Sequence, residues 1–486
     1  MQRSLGFVLL GTFTLRFSTG LTGGLLSYYL ARLPQHGGPE VHPVIYGLLS
    51  VAFYSTELIL STPFGLLSDR LGHHRIMQLG PLFGAVAVVL TWATTDLWLL
   101  GGTRLLEGAS TAASVPSILG FIAAVTVGDE LLRGRAAARF EGATLAGLGI
   151  GLVAAGPLFI GVGGWGGLGR NAFLLNALIY ALSFCIYRFG VDPADEAGAR
   201  RRQHGASSAS RLDPQPEPPS SPHPGPGAPG RDPSAAGPDT SRAGPFASTG
   251  ALAGPLPSRA VGWRAYPALL RESSVLVLAP TWIALNATLG LWTTQTIFNM
   301  VKRPTDPRFT DQILMGRFEP NEISVGLGIG LILFFVGLAY WGDRFRRYRR
   351  TTIIFYGLIG GAAIVAAALV LNHSDGWPDV LRVPPLLVVL GGLFVLAGAT
   401  PAALGLLADT SETHPADRGA IMGLYSVFLA IGQILGSLLG GIAAEIRGID
   451  GILVATLLLL AVALAPLSQL RAVEHRLEPF LEGADT

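Results

Sequence analysis

The sequence predicts an all-α membrane protein whose twelve transmembrane helices form two pseudo-symmetric six-helix bundles. Three observations predict it. The first is composition: half of the 486 residues are apolar and 14% are charged, against roughly a quarter charged in soluble domains. Mean hydropathy is +0.48, so lipid rather than water is the solvent. The second is a series of apolar runs, most of them roughly 18–25 residues long, enough to cross a ~30 Å hydrocarbon core. They fall at 5–31, 44–67, 76–95, 97–126, 142–163, 171–189, 275–300, 323–342, 352–371, 384–407, 420–443 and 451–470. The third is a polar loop written twice. Gly65-Leu66-Leu67-Ser68-Asp69-Arg70-Leu71-Gly72-His73-His74-Arg75 returns as Ala339-Tyr340-Trp341-Gly342-Asp343-Arg344-Phe345-Arg346-Arg347-Tyr348-Arg349.

The first run follows Met1-Gln2-Arg3 and continues to Ala31 without a small-residue cleavage site. A retained first helix is therefore expected rather than a signal peptide. Between the sixth and seventh runs the composition changes, and 14 of the 33 prolines lie in 191–260 with little to bury. Such a stretch cannot offset its ordering entropy and is expected to be disordered. The expected organisation is one bundle over 1–190, a linker over 191–262, a second bundle over 263–473 and a tail over 474–486. The densest Arg cluster, Arg344–Arg350, shares a side with the linker and both termini, and the positive-inside rule makes that side cytoplasmic. A multi-pass protein of the inner (plasma) membrane is expected.

Net charge is only +2, which excludes the basic footprint of a nucleic-acid binder. Cys185 is the only cysteine, so the chain forms no internal disulfide. The histidines His36, His42, His73, His74, His373 and His414 read as loop residues without metal spacing. No metal and no cofactor is expected.

The halves align beyond the loop. Asp343 follows Asp69 by 274 residues, and Asp409 follows Asp129 by 280. At these residues the chain resembles the major facilitator superfamily, over everything outside the linker and tails. Gly65, Leu67, Asp69, Arg70 and Gly72 fit that family's loop between helices 2 and 3, while His73 and His74 replace two basic residues. The second copy has lost both glycines. Arg104-Leu105-Leu106-Glu107-Gly108 resembles the Arg-x-x-Gln-Gly motif of helix 4, with Glu for Gln. Gly156-Pro157, after Gly147, Gly149 and Gly151, partly resembles the antiporter motif of the drug/proton antiporter branches.

The resemblance implies that Asp69 latches the halves against helix 11 on the cytoplasmic side. Its gate would comprise Gly65, Asp69, Arg70, Gly72, Arg75, Asp129, Asp343 and Arg344. Arg70 and Arg75 are placed to pair with Asp129 or Glu130. The alternative is that these charges only anchor helix ends.

Charges inside spans are costly, roughly 2.5–3.5 kcal/mol each at the bilayer centre. Arg16, Glu57, Arg104 and Glu107 are such charges, all in the first half. Arg16 and Glu57 lie at similar depth on adjacent antiparallel spans and are expected to pair. Arg104 and Glu107 are three apart and share a helix face. Each pair either fixes packing or serves proton coupling, since breaking an Arg–carboxylate contact changes the carboxyl's proton affinity. The seventh span offers Trp282, Asn286, Trp292 and Gln295 as a candidate substrate face, or as ordinary packing. Gly156, Pro157, Gly432 and Gly436 belong to small-residue stretches expected to pack helices closely.

The expected activity is secondary transport by alternating access: proton-coupled antiport exporting an amphipathic or drug-like molecule, by a monomer. The alternative is proton symport or facilitated uptake of a small polar nutrient such as a sugar or organic acid. A membrane-embedded enzyme or a transport-dead sensor is the remote alternative. If 191–262 is only a tether, deleting 200–255 leaves substrate flux in vesicles unchanged; lost flux at equal expression would instead assign that segment a working role.

Overall fold

The computed structural model describes residues 2–126, 130–163, 165–196, 198, 273–304, 306–344, 347–412 and 418–482. Most of the linker, with Asp129, lies outside them.

The first half comprises α1 (Gln2–Ala31), α2 (Pro43–Leu71), α3 in two pieces (His73–Met77 and Leu79–Ala93), α4 (Leu97–Val125), α5 (Glu130–Ile160) and α6 (Ala172–Cys185), which continues as a π-turn over Ile186–Gly190. The second comprises α7 (Ser273–Val301), α8 (Pro320–Arg344), α9 (Arg350–Asn372) and α10 in two pieces (Asp379–Leu396 and Ala399–Glu412). The long helix Arg418–Leu464 breaks at Arg447 and Gly448, where Gly448 has φ 59°, a conformation that favours glycine. The break divides α11 (418–446) from α12 (449–464, extended by Leu467–Glu482). Ten described segments are long and apolar enough to cross a membrane, with α11 and α12 counting as one and α7 not among them.

Local chemistry sets the helix ends. Pro43 occupies the first turn of α2, where its missing N–H costs nothing. The Asp96 carboxylate accepts the Leu99 N–H at 2.9 Å to start α4. Inside the bundle, hydroxyls return to carbonyls one turn back, as Thr12 does to Val8 at 2.8 Å, because lipid offers them no partner.

Glycine governs the closest crossings. A Cβ at Gly147 would overlap the Phe13 carbonyl, Arg16 Cβ and the Phe17 nitrogen, and one at Gly151 would overlap the Phe17 carbonyl. These residues hold α5 on α1. In the second half Gly432 meets the Ile283 carbonyl, Asn286 Cβ and the Ala287 nitrogen, and Gly436 meets the Ala287 carbonyl. The same pattern thus holds α11 on α7, and it makes Asn286 the structural counterpart of Arg16. Polar clasps repeat as well. Asn176 on α6 donates to the Ser18 carbonyl at 3.0 Å, and Trp292 on α7 donates to Thr456 on α12 at 2.9 Å.

A second repeat is absent from the sequence reading. Both Glu196 oxygens accept backbone N–H groups at the start of α3, from His73 at 2.9 Å and His74 at 3.1 Å. In the other half Glu474 accepts from the Arg350 N–H at 2.6 Å, the Thr351 N–H at 3.3 Å and the Thr351 hydroxyl at 2.5 Å. A carboxylate beyond the last apolar span of each half therefore caps the third helix. Val191 and Glu196, at the head of the expected linker, are buried against the first bundle. Both carboxylates satisfy donors that would otherwise be orphaned, so Glu474→Ala should cost about 1–2 kcal/mol and lower the thermal midpoint. The control Asp192→Ala removes only an exposed turn bond to Ala194. Equal effects from the two substitutions would contradict the capping role.

Candidate functional site

The bonds that join the halves lie at the end opposite the Asp69–Arg75 loop, the far side. Arg32 pairs with Glu319 at 2.6 Å, Lys302 with Glu40 at 3.0 Å, and His42 meets Glu445 at 3.1 Å. Lys302 also donates to the Val41 carbonyl at 2.8 Å, Gln295 to the Pro43 carbonyl at 3.1 Å, and Asn321 to the Gly161 carbonyl at 2.6 Å. A Cβ at Gly156 would overlap the Pro320 carbonyl of α8, and the Gly156 N–H donates to the Ser324 hydroxyl at 3.2 Å. Gly156 thus packs the halves together, next to Pro157 inside α5. This far-side seal has no counterpart in the sequence reading.

α4 packs on α2, α3 and α5, and the final piece of α10 packs on α7, α9 and α11. Asp69 is 69% exposed and lies 3.8 Å from His73. Gly72 turns the chain at φ 102°, and Arg70, Arg75 and Asp343 are exposed. Arg344 lies over the Tyr340 ring at 3.9 Å. The first turns of α11, which Asp69 is expected to reach, and Asp129, the expected partner of Arg70 and Arg75, lie outside the described side chains. Among the described residues, the polar contacts between the halves therefore gather at the far side.

At mid-depth in the first half lies a cluster of charges. Arg16 is the 15th of 30 residues in α1 and Glu57 the 15th of 29 in α2, so both stand near the membrane midplane. They form no ion pair within 4.0 Å, which corrects the expectation of a closed Arg16–Glu57 pair. Arg16 instead acts electrostatically on two carboxylates, Glu57 and Glu141 of α5. Glu141 lies outside an apolar run that begins at 142, but α5 starts at Glu130 and carries Glu141 eleven residues inward. Arg104 and Glu107 do form an ion pair, and both are buried. Arg104 stands over the Phe53 ring at 5.5 Å, with Tyr46, Tyr54 and Tyr180 as its electrostatic neighbours. Tyr54 reaches across to Thr293 on α7, a contact also unforeseen.

The seventh-span residues are placed differently from the expected substrate face. Trp282 is buried in the core of the second half, and Asn286 donates back to the Trp282 carbonyl at 2.9 Å. Trp292 bonds α12, and Gln295 is fully buried at the far-side seal. The Asn286 and Gln295 amides and the Trp292 indole bond backbone or a neighbouring helix; the exposed positions among the described side chains of α7 are Pro280, Leu289 and Thr293. His73 and His74 are likewise not loop residues: both are buried, His73 against the Ser68 hydroxyl at 3.1 Å and His74 against the Tyr187 carbonyl at 3.0 Å. Among the described residues no cluster of His, Cys, Asp or Glu could hold a metal.

The family model of the Major Facilitator Superfamily matches residues 8–381 and 320–483. The chain belongs to the major facilitator superfamily. Its membership makes the chain a transporter, with a small molecule as cargo. The solved structure of the nucleoside transporter NupG matches with a TM-score of 0.64 at 12% identity, over 96% of this chain and 98% of that one. A mutant form of NupG matches with a TM-score of 0.63 at 11% identity, over 96% and 99%. No curated protein sequence matches the chain. In superfamily terms the two bundles are the two halves of the transporter.

Partly exposed ion pairs contribute up to about 1 kcal/mol each, so removing two should shift the balance between facing states by about five- to tenfold. The double substitution Arg32→Gln with Lys302→Gln is therefore expected to raise far-side labelling of a Thr293→Cys reporter by an impermeant maleimide, in a Cys185→Ser background. Unchanged labelling would show that the seal does not depend on these pairs.

Proposed function

We propose that this chain is a proton-coupled antiporter that exports amphipathic small molecules by alternating access. The observation that carries the reading is Arg16 acting on both Glu57 and Glu141 near the midplane, with the polar contacts between the halves gathered at the far side. A carboxylate next to a guanidinium changes its proton affinity when the contact changes. Movement of α2 or α5 relative to α1, or a cation entering beside Glu57, thus becomes proton release or capture. Glu57 is the first candidate for the proton site, Glu107 the second, and Glu141 joins them. Half-buried Phe13, Phe17, Phe53 and Tyr54 flank these charges, which suits a molecule with both an apolar body and a polar or cationic group.

In this reading the loop side is cytoplasmic, as the arginine bias supports, with both termini and the 191–262 linker on that side of the inner (plasma) membrane. Asp69, Arg70, Arg75, Asp343 and Arg344 then form the cytoplasmic gate that closes as the far side opens. One chain holds a whole site between its halves, so the working unit is a monomer. A second reading is proton symport of a polar nutrient. The Tyr54–Thr293 contact between the halves favours it, since hydroxyls from both halves suit a polyhydroxylated substrate, and NupG, which shares the fold, is a nucleoside transporter.

Everted vesicles carrying a pH gradient separate these readings. Substrate-induced proton release by lipophilic cations supports antiport, and proton co-movement with nucleosides or sugars supports symport. Glu57→Gln should lower gradient-driven accumulation at least about tenfold, the equivalent of ~1.4 kcal/mol, while leaving substrate binding in place. Undiminished coupling in that variant would remove Glu57 from the mechanism.

A further inference from the structure

A cleft of about 590 Å³ opens at the loop-side ends of α2, α3 and α6, outside the space between the halves. Arg70, Arg75 and Arg188 line it, with Leu71, Gly72, His74, Gln78, Pro193 and Glu196. All three guanidiniums are on exposed residues. Glu196 is the one carboxylate in the lining, and its two oxygens are already directed at the His73 and His74 N–H groups. The cleft thus holds three cationic side chains against one carboxylate that is engaged elsewhere. In the loop register Arg70 and Arg75 repeat as Arg344 and Arg349, while Arg188 belongs to the end of α6 in the first half.

Beside the cleft, the outer face of α6 is apolar and uncovered among the described residues. Leu178, Leu182 and Phe189 are 67%, 52% and 80% exposed, and Cys185 is exposed between them. These positions recur at helical spacing and end next to Arg188, while Leu71 contributes an exposed apolar wall to the cleft itself. Three guanidiniums at the end of an apolar stripe, level with the ends of membrane helices, match a ligand that carries a phosphate and acyl chains together. Arginine suits phosphate because its planar donors bind oxygens in pairs, and basic pockets at helix ends hold lipid headgroups.

We propose that this cleft is a binding site for an anionic glycerophospholipid, its phosphate held by Arg70, Arg75 and Arg188 and its acyl chains lying along Leu178, Leu182 and Phe189. Because Arg70 and the Gly72 turn belong to the loop joining α2 to α3, an occupied site ties that loop to α6. The lipid content of one leaflet then bears on the loop-side gate.

The test uses the full-length protein in detergent micelles doped with phosphatidylglycerol, phosphatidylcholine, or inorganic phosphate without added lipid. Phosphatidylglycerol should raise the thermal midpoint by about 3 °C or more over phosphatidylcholine, and high salt should reduce the gain. The triple variant Arg70→Gln, Arg75→Gln, Arg188→Gln should lose that gain while keeping its midpoint in phosphatidylcholine. A photoreactive phosphatidylglycerol should crosslink wild-type protein within residues 178–196, a measurement that does not need the variant to fold. Crosslinks confined to other helices, a gain retained by the triple variant, or an equal gain from inorganic phosphate would each overturn the lipid site.

Discussion

Helices α1 and α5, and their counterparts α7 and α11, approach so closely that only glycine fits where they cross, and much of the functional placement follows from that contact. Gly147 and Gly151 lay the α5 backbone on Phe13 and Phe17, and Arg16 lies between those two residues on α1. The contact that builds the bundle therefore also brings Glu141 of α5 toward the guanidinium. A side chain at Gly147 would push apart the helices that hold the charges together. In lipid, where helix association has little hydrophobic drive, such backbone approach is the main source of specificity.

The two halves use one scaffold for different ends. Gly432 and Gly436 reproduce the crossing on α7, but the position equivalent to Arg16 is Asn286, whose amide turns back to its own helix at Trp282. One half keeps a charge that needs partners and the other replaces it with a self-satisfied amide. Cost explains the asymmetry: a charge near the midplane is tolerated where other charges and water meet it, and is expelled elsewhere. The far-side seal relies on pairs between partly exposed residues such as Arg32 and Glu319. Weak, solvent-facing bonds of that kind suit a contact that breaks in each turn of the proposed cycle.

Helix positions and the two-half architecture were legible in the sequence because apolar runs of membrane length have few alternative structures. The repeated Asp69 and Asp343 loops marked the same helix ends that the structure shows. The side of each helix that faces the cavity was not legible. Trp282, Asn286, Trp292 and Gln295 have polar atoms at helical spacing, yet helix packing turned them toward α12, the backbone and the seal. Glu141 was hidden because α5 extends well before its apolar run. The Glu196 and Glu474 caps were hidden because each lies at the edge of a segment that composition marks as linker or tail. Such contacts depend on three-dimensional proximity, and a single sequence carries little of it.

The central claim is reciprocal motion: the loop side closes as the far side opens. Electron–electron distance measurements on spin-label pairs read it directly, in a Cys185→Ser background. One pair, Arg135→Cys with Tyr348→Cys, spans the loop side, and the other, Gln35→Cys with Asp379→Cys, spans the far side. Adding transported substrate or changing pH should shorten the first distance and lengthen the second in the same sample. Two distances that change in the same sense, or neither changing while transport proceeds, would contradict the account.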